Sequence, residues 1–123
     1  MKVLPGLLFA IGCGSTFAQA PNPYDGKWKA SWSSEARQFE AAVVINGAGG
    51  SWKTFSAGRD KSNPCLGKES PIQVTTASPE ALVFTGKLSE VISGCANFTV
   101  RLKPDGAALK GTRGSFPVEL VRN

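Results

Sequence analysis

Two of the three cysteines are the residues of this chain best placed to form a covalent crosslink. Cys13 falls in an N-terminal segment that we expect to be removed on export, which leaves Cys65 and Cys95. Two cysteines in an exported chain usually pair, and their spacing is far from the C-x-x-C of redox proteins. We therefore predict a structural Cys65–Cys95 disulfide. In the chain-entropy model, closing a loop of this length stabilises the fold by roughly 3 to 4 kcal/mol.

The residue types needed for most catalytic and metal sites are missing. The sequence contains no histidine, which excludes Ser-His-Asp and Cys-His catalysis and histidine-ligated metals. With both remaining cysteines in a disulfide, thiolate chemistry and cysteine-zinc sites are excluded as well. The sequence also has no Ser-x-x-Lys dyad, no G-x-S-x-G elbow and no glycine-rich phosphate loop. We predict no metal and no cofactor.

Carboxylates are the remaining candidates for catalysis, and they are scattered along the chain. A glycosidase needs two of them about 5 to 9.5 Å apart across a cleft. No spacing in the sequence indicates such a pair, and isolated acidic residues are most often solvated surface groups. We therefore predict that the protein is not an enzyme and has no catalytic residues. The acidic residues concerned are Glu35, Glu40, Asp60, Glu69, Glu90 and Glu119.

A basic loop is the strongest candidate for a contact surface. The longest irregular stretch of the chain, residues 57–71, carries Arg59, Lys61 and Lys68. The predicted disulfide would tie it to a second loop, residues 89–94, and loops held on a rigid scaffold often carry recognition. The charge would suit an anionic glycan, a lipid head group or an acidic protein. The alternative is that these are merely solvated loop charges.

Most of the remaining sequence alternates between apolar and polar residues with the period of two that β-strands have. Turn-forming segments separate the alternating runs, and residues 33–38 (SSEARQ) are the one stretch that could form a helical turn. The pattern predicts an all-β fold, a small antiparallel barrel or sandwich of about eight strands. The predicted strands are 27–32, 39–46, 51–56, 72–76, 81–88, 96–103, 109–113 and 116–122.

The same alternation assigns the aromatic residues to the interior. Eight strands enclose just enough space for side chains or one small ligand, so this aromatic bulk predicts a largely filled interior with a small pocket at most. In Lys27-Trp28-Lys29 the lysines and the tryptophan face opposite sides of the strand, which argues against a stacking platform for nucleic acid. The residues expected to point inward are Trp28, Trp32, Trp52, Phe39, Phe84, Phe98 and Phe116.

The N-terminal segment has the features of a secretory signal peptide rather than of the domain. One basic residue, a short apolar run and small polar residues follow one another over residues 1–18. We favour cleavage after Ala18, because cleavage after Ala20 would leave a rigid proline just beyond the cut. Lipidation at Cys13 is a third possibility, since a glycine precedes that cysteine.

Behind the leader we expect a flexible, proline-rich tail at residues 19–25 and one β-domain at residues 26–123. No later stretch is long and apolar enough to span a membrane. The chain has 14 basic and 9 acidic residues, and their interleaving is typical of ordinary solvated surfaces. We therefore expect a soluble monomer, periplasmic or secreted, with no nucleic-acid partner.

Residues at the two ends of the predicted domain resemble a known group of barrels. Gly26-Lys27-Trp28 in the first strand is a G-x-W motif, and Arg122 ends the last strand. The pairing resembles the calycins (lipocalins, avidins and a bacterial metalloprotease-inhibitor family), in which a first-strand tryptophan packs beneath a late-strand arginine. The resemblance implies a barrel and a structural closing role for Trp28 and Arg122. Residues 95–122 also resemble small exported proteobacterial β-proteins of unassigned function.

Four functions remain open from the sequence, the last being a carboxylate enzyme, which a screen for glycan hydrolysis would detect. The one we favour is a non-catalytic binding or interaction domain of the bacterial cell envelope, whose partner is a protein, glycan or lipid. The second is a small hydrophobic-ligand carrier of the calycin type, which requires a cavity. The third is a proteinaceous inhibitor of a hydrolase, whose tail at residues 19–24 would enter the enzyme's cleft. Fold alone does not choose between them.

Overall fold

The computed structural model describes residues 22–34, 37–55 and 64–123. The predicted signal peptide at residues 1–18 lies outside the described residues, and so do Arg59 and Lys61 of the predicted contact surface. Lys68 and both cysteines of the predicted disulfide lie within them.

Eight antiparallel strands form one closed barrel, which confirms the all-β prediction and selects the barrel over the sandwich. Each alternating run becomes a strand because its apolar positions can all face one side. A short 3-10 helix, Leu88–Glu90, follows the fifth strand, and nowhere in the described chain is a helix long and apolar enough to cross a membrane. The strands are β1 Gly26–Ser34, β2 Arg37–Asn46, β3 Gly49–Thr54, β4 Glu69–Ser78, β5 Ala81–Gly86, β6 Phe98–Asp105, β7 Ala108–Arg113 and β8 Phe116–Arg122.

The strands follow a simple up-and-down order around the barrel. Each strand pairs with its neighbours in sequence, and β1 also pairs with β8 to close the sheet. In this closing pair Trp28 lies opposite Arg122 and Trp32 lies opposite Val118. Closure leaves no unpaired sheet edge among the described strands.

The two ends of the barrel carry different connections, because antiparallel strands reverse direction at every connection. At one end, which we call the turn end, tight turns at residues 47–48, 79–80 and 106–107 join the strands. The chain also enters β1 and leaves β8 there. At the other end, the loop end, the longer connections 55–68 and 87–97 join β3 to β4 and β5 to β6.

The predicted crosslink is present at the loop end. The sulfur atoms of Cys65 and Cys95 are 2.01 Å apart and their Cα atoms are 5.7 Å apart, within the geometry of a disulfide. This confirms the predicted pairing. The bond joins the two long connections and therefore constrains the loops in which recognition was predicted.

Inward-facing side chains fill the barrel between its two ends. Trp52 and Phe84 are almost fully buried, and their ring centroids are 6.0 Å apart. The ring centroids of Trp32 and Phe98 lie 5.5 and 5.0 Å from that of Trp52. Every strand contributes at least one side chain to this core. A largely filled interior is what the aromatic content predicted.

One residue predicted to face inward is not buried. Phe116 is 39% exposed, although it is in phase with the buried Val118 and Leu120 along β8. It is the first residue of that strand, directly after the two-residue turn 114–115, and it pairs with Arg113 at the loop end. The expected burial is wrong for Phe116, because alternation gives the face of a strand and not the distance from the barrel rim.

The described part of the predicted flexible tail is packed against the barrel. Asn22 and Tyr24 are only 8% and 5% exposed, and Tyr24 belongs to the apolar core. The expectation of a flexible tail is therefore wrong for residues 22–25, whose side chains find partners on the barrel. Residues 19–21 lie outside the described residues.

Candidate functional site

The turn end is closed by residues 22–25, which we call the plug. The Tyr24 N–H donates to Asn22 Oδ1 at 2.8 Å, and Asn22 Nδ2 donates to the Gly47 carbonyl oxygen at 2.8 Å. The Gly47 N–H in turn donates to Asp25 Oδ1 at 2.7 Å. The Tyr24 hydroxyl donates to the carbonyl oxygen of Ser78, the last residue of β4. These bonds tie the plug to two separate turns of the barrel.

Arg122 and Trp28 hold the plug to the strands that close the barrel. Arg122 Cζ lies 4.1 Å from the centroid of the Trp28 ring, within the range of a cation–π contact. Arg122 Nη1 donates to the Asp25 carbonyl oxygen at 2.6 Å, and Nη2 donates to that of Pro23 at 3.4 Å. Trp28 Nε1 donates to the Tyr24 carbonyl oxygen at 2.9 Å. The structure thus brings together the two residues that were assigned a closing role.

The glycine of the G-x-W motif makes room for this contact. Gly26 has a φ of +130°, which side-chain-bearing residues rarely adopt, and a Cβ added to it would lie 2.6 Å from Arg122 Nη1. Glycine is the residue that tolerates both conditions. The close approach of the Arg122 side chain to the backbone at residue 26 therefore favours glycine at the first position of the motif.

A second arginine occupies the loop end and is surrounded by aromatic rings. Arg113 is the last residue of β7, and its Cζ lies 4.1 Å from the centroid of the Phe98 ring. The ring centroids of Trp32 and Trp52 are 4.9 and 5.6 Å from the same atom. Gly86 makes this arrangement possible, because a Cβ there would come within 2.2 Å of the Phe98 ring.

The guanidinium of Arg113 has an unused hydrogen-bond donor. Its Nε is buried and has no hydrogen-bond partner among the described residues, and no described carboxylate forms an ion pair with it. Burial lowers the pKa of Arg113 from its ordinary value, because desolvation disfavours the cation. The group nevertheless stays charged at neutral pH. Aromatic rings attract a cation, but they do not replace the strong acceptors that burial removes.

A cavity of about 150 Å³ adjoins Arg113. The rings of Trp52 and Phe98 form part of its wall, and Thr54 and Ser70 add hydroxyl groups. Thr54 Oγ1 accepts a hydrogen bond from Trp52 Nε1 at 2.8 Å, so its own proton is available to a ligand. No acidic side chain of the described residues lines this cavity. The site therefore favours an anion with an apolar body.

Only part of the predicted contact surface can be placed beside this cavity. Lys68 is exposed and lines the cavity, as does Cys65 of the disulfide. Arg59 and Lys61 lie outside the described residues. Lys68, the one described member of the predicted surface, thus lies at the same end of the barrel as Arg113.

Sequence reasoning missed Arg113, although a signal for it exists. Arg113 is in phase with Leu109, which is the buried residue of β7. Strict alternation therefore places the arginine on the inner face of the strand. Its charge is typical of a surface residue, and its aromatic neighbours come from β1, β3 and β6, which no local pattern brings together.

Two wider and shallower depressions lie on the outer wall of the barrel. One, of about 440 Å³, is lined in part by Lys110 and Glu119, which lie opposite each other in register. The other, of about 370 Å³, is lined in part by Val83, Arg101 and Lys103. We place the candidate site at the loop end instead, because there a half-buried charge adjoins a deeper and less open space than either depression.

The loop-end cluster supplies a positive charge, aromatic faces and hydroxyl groups. A guanidinium supplies charge and hydrogen-bond donors but no base. Within the described residues, no three histidine, cysteine, aspartate or glutamate side chains come together to hold a metal ion. No family model, no curated protein and no solved structure gives a significant match to this chain. The function is therefore argued from the site itself.

Proposed function

We propose that this chain is a non-catalytic binding domain of the bacterial cell envelope, exported to the periplasm or the medium, with the loop end as its binding end. The observation that carries the proposal is Arg113. This half-buried cation lines the cavity, and its buried Nε has no hydrogen-bond partner among the described residues. Leaving a buried donor without a partner costs about 1–3 kcal/mol. A ligand that brings an acceptor to this guanidinium would offset part of that cost, and this favours binding at the loop end.

The disulfide supports both the location and the binding role. Stable disulfides form in oxidising compartments outside the cytoplasm, which agrees with an exported protein. The Cys65–Cys95 bond also fixes the two connections that meet beside the cavity. A crosslink between two segments reduces the conformational entropy that they lose when a ligand binds.

The alternative function, a carrier of hydrophobic ligands, is supported only if the ligand is a small molecule. Side chains from every strand fill the interior between the two ends, so a long apolar ligand would require the core to open. The cavity at the loop end measures about 150 Å³, and its wall includes Arg113 and two hydroxyl groups. A ligand that is both small and polar at one end fits these features better.

The alternative of a tail-inserting inhibitor loses its main argument. It required residues 19–24 to be free to enter a cleft. Tyr24 is part of the core and Asn22 donates a hydrogen bond to the Gly47 carbonyl oxygen, so releasing them would open the turn end.

Binding to fractionated cell envelope tests the proposal. The mature, disulfide-bonded domain is immobilised, and binding of periplasmic, membrane and peptidoglycan fractions is measured by biolayer interferometry. We expect one fraction to bind the wild-type domain. The triple variant Arg59→Ala/Lys61→Ala/Lys68→Ala removes the predicted basic surface, and we expect it to reduce that signal by about threefold or more, as the loss of interface charges does.

A matched control keeps this test specific to the loop end. The variant Lys27→Ala/Arg101→Ala/Lys103→Ala removes the same number and types of charge from exposed positions of the barrel wall. We expect it to bind like the wild type. Unchanged binding by the loop-end variant, or an equal loss in the control, contradicts the assignment of the loop end as the binding end.

A further inference from the structure

We infer that the loop-end cavity is a binding site for a small organic carboxylate, held by the guanidinium of Arg113. The inference deepens the proposed function and rests on it. The charge, the size and the lining of the cavity each restrict the ligand, and a monocarboxylate with a compact apolar body satisfies all three.

The charge of the cavity selects an anion. Arg113 and Lys68 both line it, and no described carboxylate does. The planar fork of an arginine matches a carboxylate through two parallel hydrogen bonds, a geometry that a lysine cannot provide. The rings around Arg113 offer only their π faces, and no described residue accepts a hydrogen bond from its Nε, so a carboxylate ligand would add a strong acceptor to this guanidinium. The Thr54 hydroxyl is a further donor in the same wall.

The size of the cavity limits the ligand to a few atoms. Its volume is about 150 Å³, and an engineered apolar cavity of about 150 Å³ accommodates one benzene molecule. The ligand therefore has about six to nine non-hydrogen atoms. A nucleotide, a glycan chain or a long fatty acid exceeds this space.

The lining of the cavity selects a ligand with an apolar body. The ring centroids of Trp52 and Phe98 are 5.0 Å apart, and both rings contribute to the wall, together with Leu88. Inorganic phosphate or sulfate would lose much of its hydration there and would leave the apolar wall uncovered. A branched aliphatic or an aromatic acid places its carboxylate at Arg113 and its body on the rings.

Titration with matched small molecules tests the inference on the full mature, disulfide-bonded domain. Benzoate is the principal probe, benzamide is its neutral counterpart with the same ring, and inorganic phosphate is the anion without an apolar body. Calorimetry and the quenching of tryptophan fluorescence report binding. We expect a Kd for benzoate of about 1 mM or below. Benzamide and phosphate are expected to bind about tenfold more weakly or worse.

Two substitutions at Arg113 and one control locate the binding. We expect Arg113→Gln to weaken benzoate binding by about tenfold or more. Arg113→Lys keeps the charge and loses the fork, so we expect a smaller loss of about threefold. Arg101→Gln removes an exposed arginine from the outer face of β6 and is expected to leave the affinity unchanged. Near-ultraviolet circular dichroism verifies that each variant retains the packed aromatic core.

Each result either supports or overturns the inference. Equal affinity for benzamide and benzoate, tighter binding of phosphate, or full affinity in Arg113→Gln overturns it. Failure of benzoate and of the aliphatic probe isobutyrate to bind overturns it as well. A peptide ending in phenylalanine offers the same carboxylate from a larger source, and markedly tighter binding of that peptide than of benzoate overturns the choice of a free small acid.

The same experiments separate this inference from the proposed function. If the carboxylates fail to bind while an envelope fraction still binds in a manner sensitive to the loop-end triple variant, the inference is wrong and the proposed function stands. If the triple variant binds the fractions like the wild type and the carboxylates also fail, both are wrong.

Discussion

Both ends of the barrel contain an arginine in contact with tryptophan, yet the described residues supply hydrogen-bond acceptors to the guanidinium of only one of them. Arg122 lies 4.1 Å from the ring centroid of Trp28 and donates to the carbonyl oxygens of Asp25 and Pro23. Arg113 lies against three rings, and its Nε donates to no described residue. The ring contacts are of the same kind, so the hydrogen-bond acceptors distinguish a structural cation from one that is available to a ligand.

The difference between the ends follows from where the chain supplies acceptors. The plug precedes β1 and crosses the turn end, so its carbonyl groups meet the end of β8. At the loop end, the described parts of the long connections supply the disulfide and part of the cavity wall. They supply no acceptor to Arg113 Nε. The described backbone thus closes one end and supplies acceptors to Arg122, whereas the described residues at the other end supply none to Arg113 Nε.

Removal of the crosslink is the change with the largest expected effect, and it acts on the loop end alone. We expect Cys65→Ser/Cys95→Ser to lower the free energy of unfolding by roughly 3 to 4 kcal/mol, because the unfolded chain gains the entropy of an open loop. Urea denaturation of the variant and of the oxidised wild type measures the difference. Wild-type protein reduced with dithiothreitol is the matched control and is expected to lose the same amount. A loss below about 1 kcal/mol would contradict the role of the crosslink as a major constraint.

Replacing each arginine by methionine contrasts the two ends directly. Arg122→Met removes a cation–π contact and two hydrogen bonds, so we expect a loss of about 1–2 kcal/mol. Arg113→Met loses three cation–π contacts, but it also removes the desolvation cost of a half-buried charge with an unpaired donor and keeps the apolar volume. Its stability is expected to stay the same or to rise by about 1 kcal/mol. Equal losses of unfolding free energy in the two variants, measured by urea denaturation, would contradict the claim that the two arginines have different roles.

Tyr24→Phe is expected to give the smallest change, confined to the turn end. It removes one hydrogen bond, to the Ser78 carbonyl oxygen, at a cost of about 1 kcal/mol. Burial, and then the charge of Glu80, raises the pKa of Tyr24 above its ordinary value, so the folded state keeps the phenolic proton to higher pH than the unfolded state does.

The raised pKa of Tyr24 determines how the stability difference between the wild type and Tyr24→Phe changes with pH. The contribution of Tyr24 is complete below the unfolded pKa of about 10 and is lost as the pH rises from there through the folded pKa. We therefore expect the stability advantage of the wild type over Tyr24→Phe to be constant between pH 7 and 9 and to shrink above pH 10. Urea denaturation across this range measures it, and an advantage that grows above pH 10 would refute the assignment.

The fold could be predicted from sequence because each strand of a closed barrel has one face buried. Because one face is buried, apolar and polar residues alternate along each strand with a period of two. The runs around Phe84 and Val100 are examples. The disulfide could be predicted from the cysteine count and the expected compartment. The contact of Trp28 with Arg122 was indicated by a resemblance at the two ends of the domain.

The candidate site could be predicted only in part, because its contacts join distant strands. Lys68 and the disulfide were identified from composition. The role of Arg113 depends on its contacts with three aromatic rings from three other strands, those of Trp32, Trp52 and Phe98. Tyr24 was missed for the same reason. Its hydroxyl bonds to Ser78 at the end of β4, and nothing in a proline-rich segment signals such a partner.

The side-chain Nε–H signals of the two arginines provide the most direct test of the central claim, that the loop end binds and the turn end only closes. In a nitrogen-15 correlation spectrum, the signals of Arg113 and Arg122 are assigned by their loss in the variants Arg113→Gln and Arg122→Met. On addition of benzoate, we expect the Arg113 signal to shift with increasing ligand while the Arg122 signal stays in place. A stationary Arg113 signal, or equal shifts of both, would contradict the account.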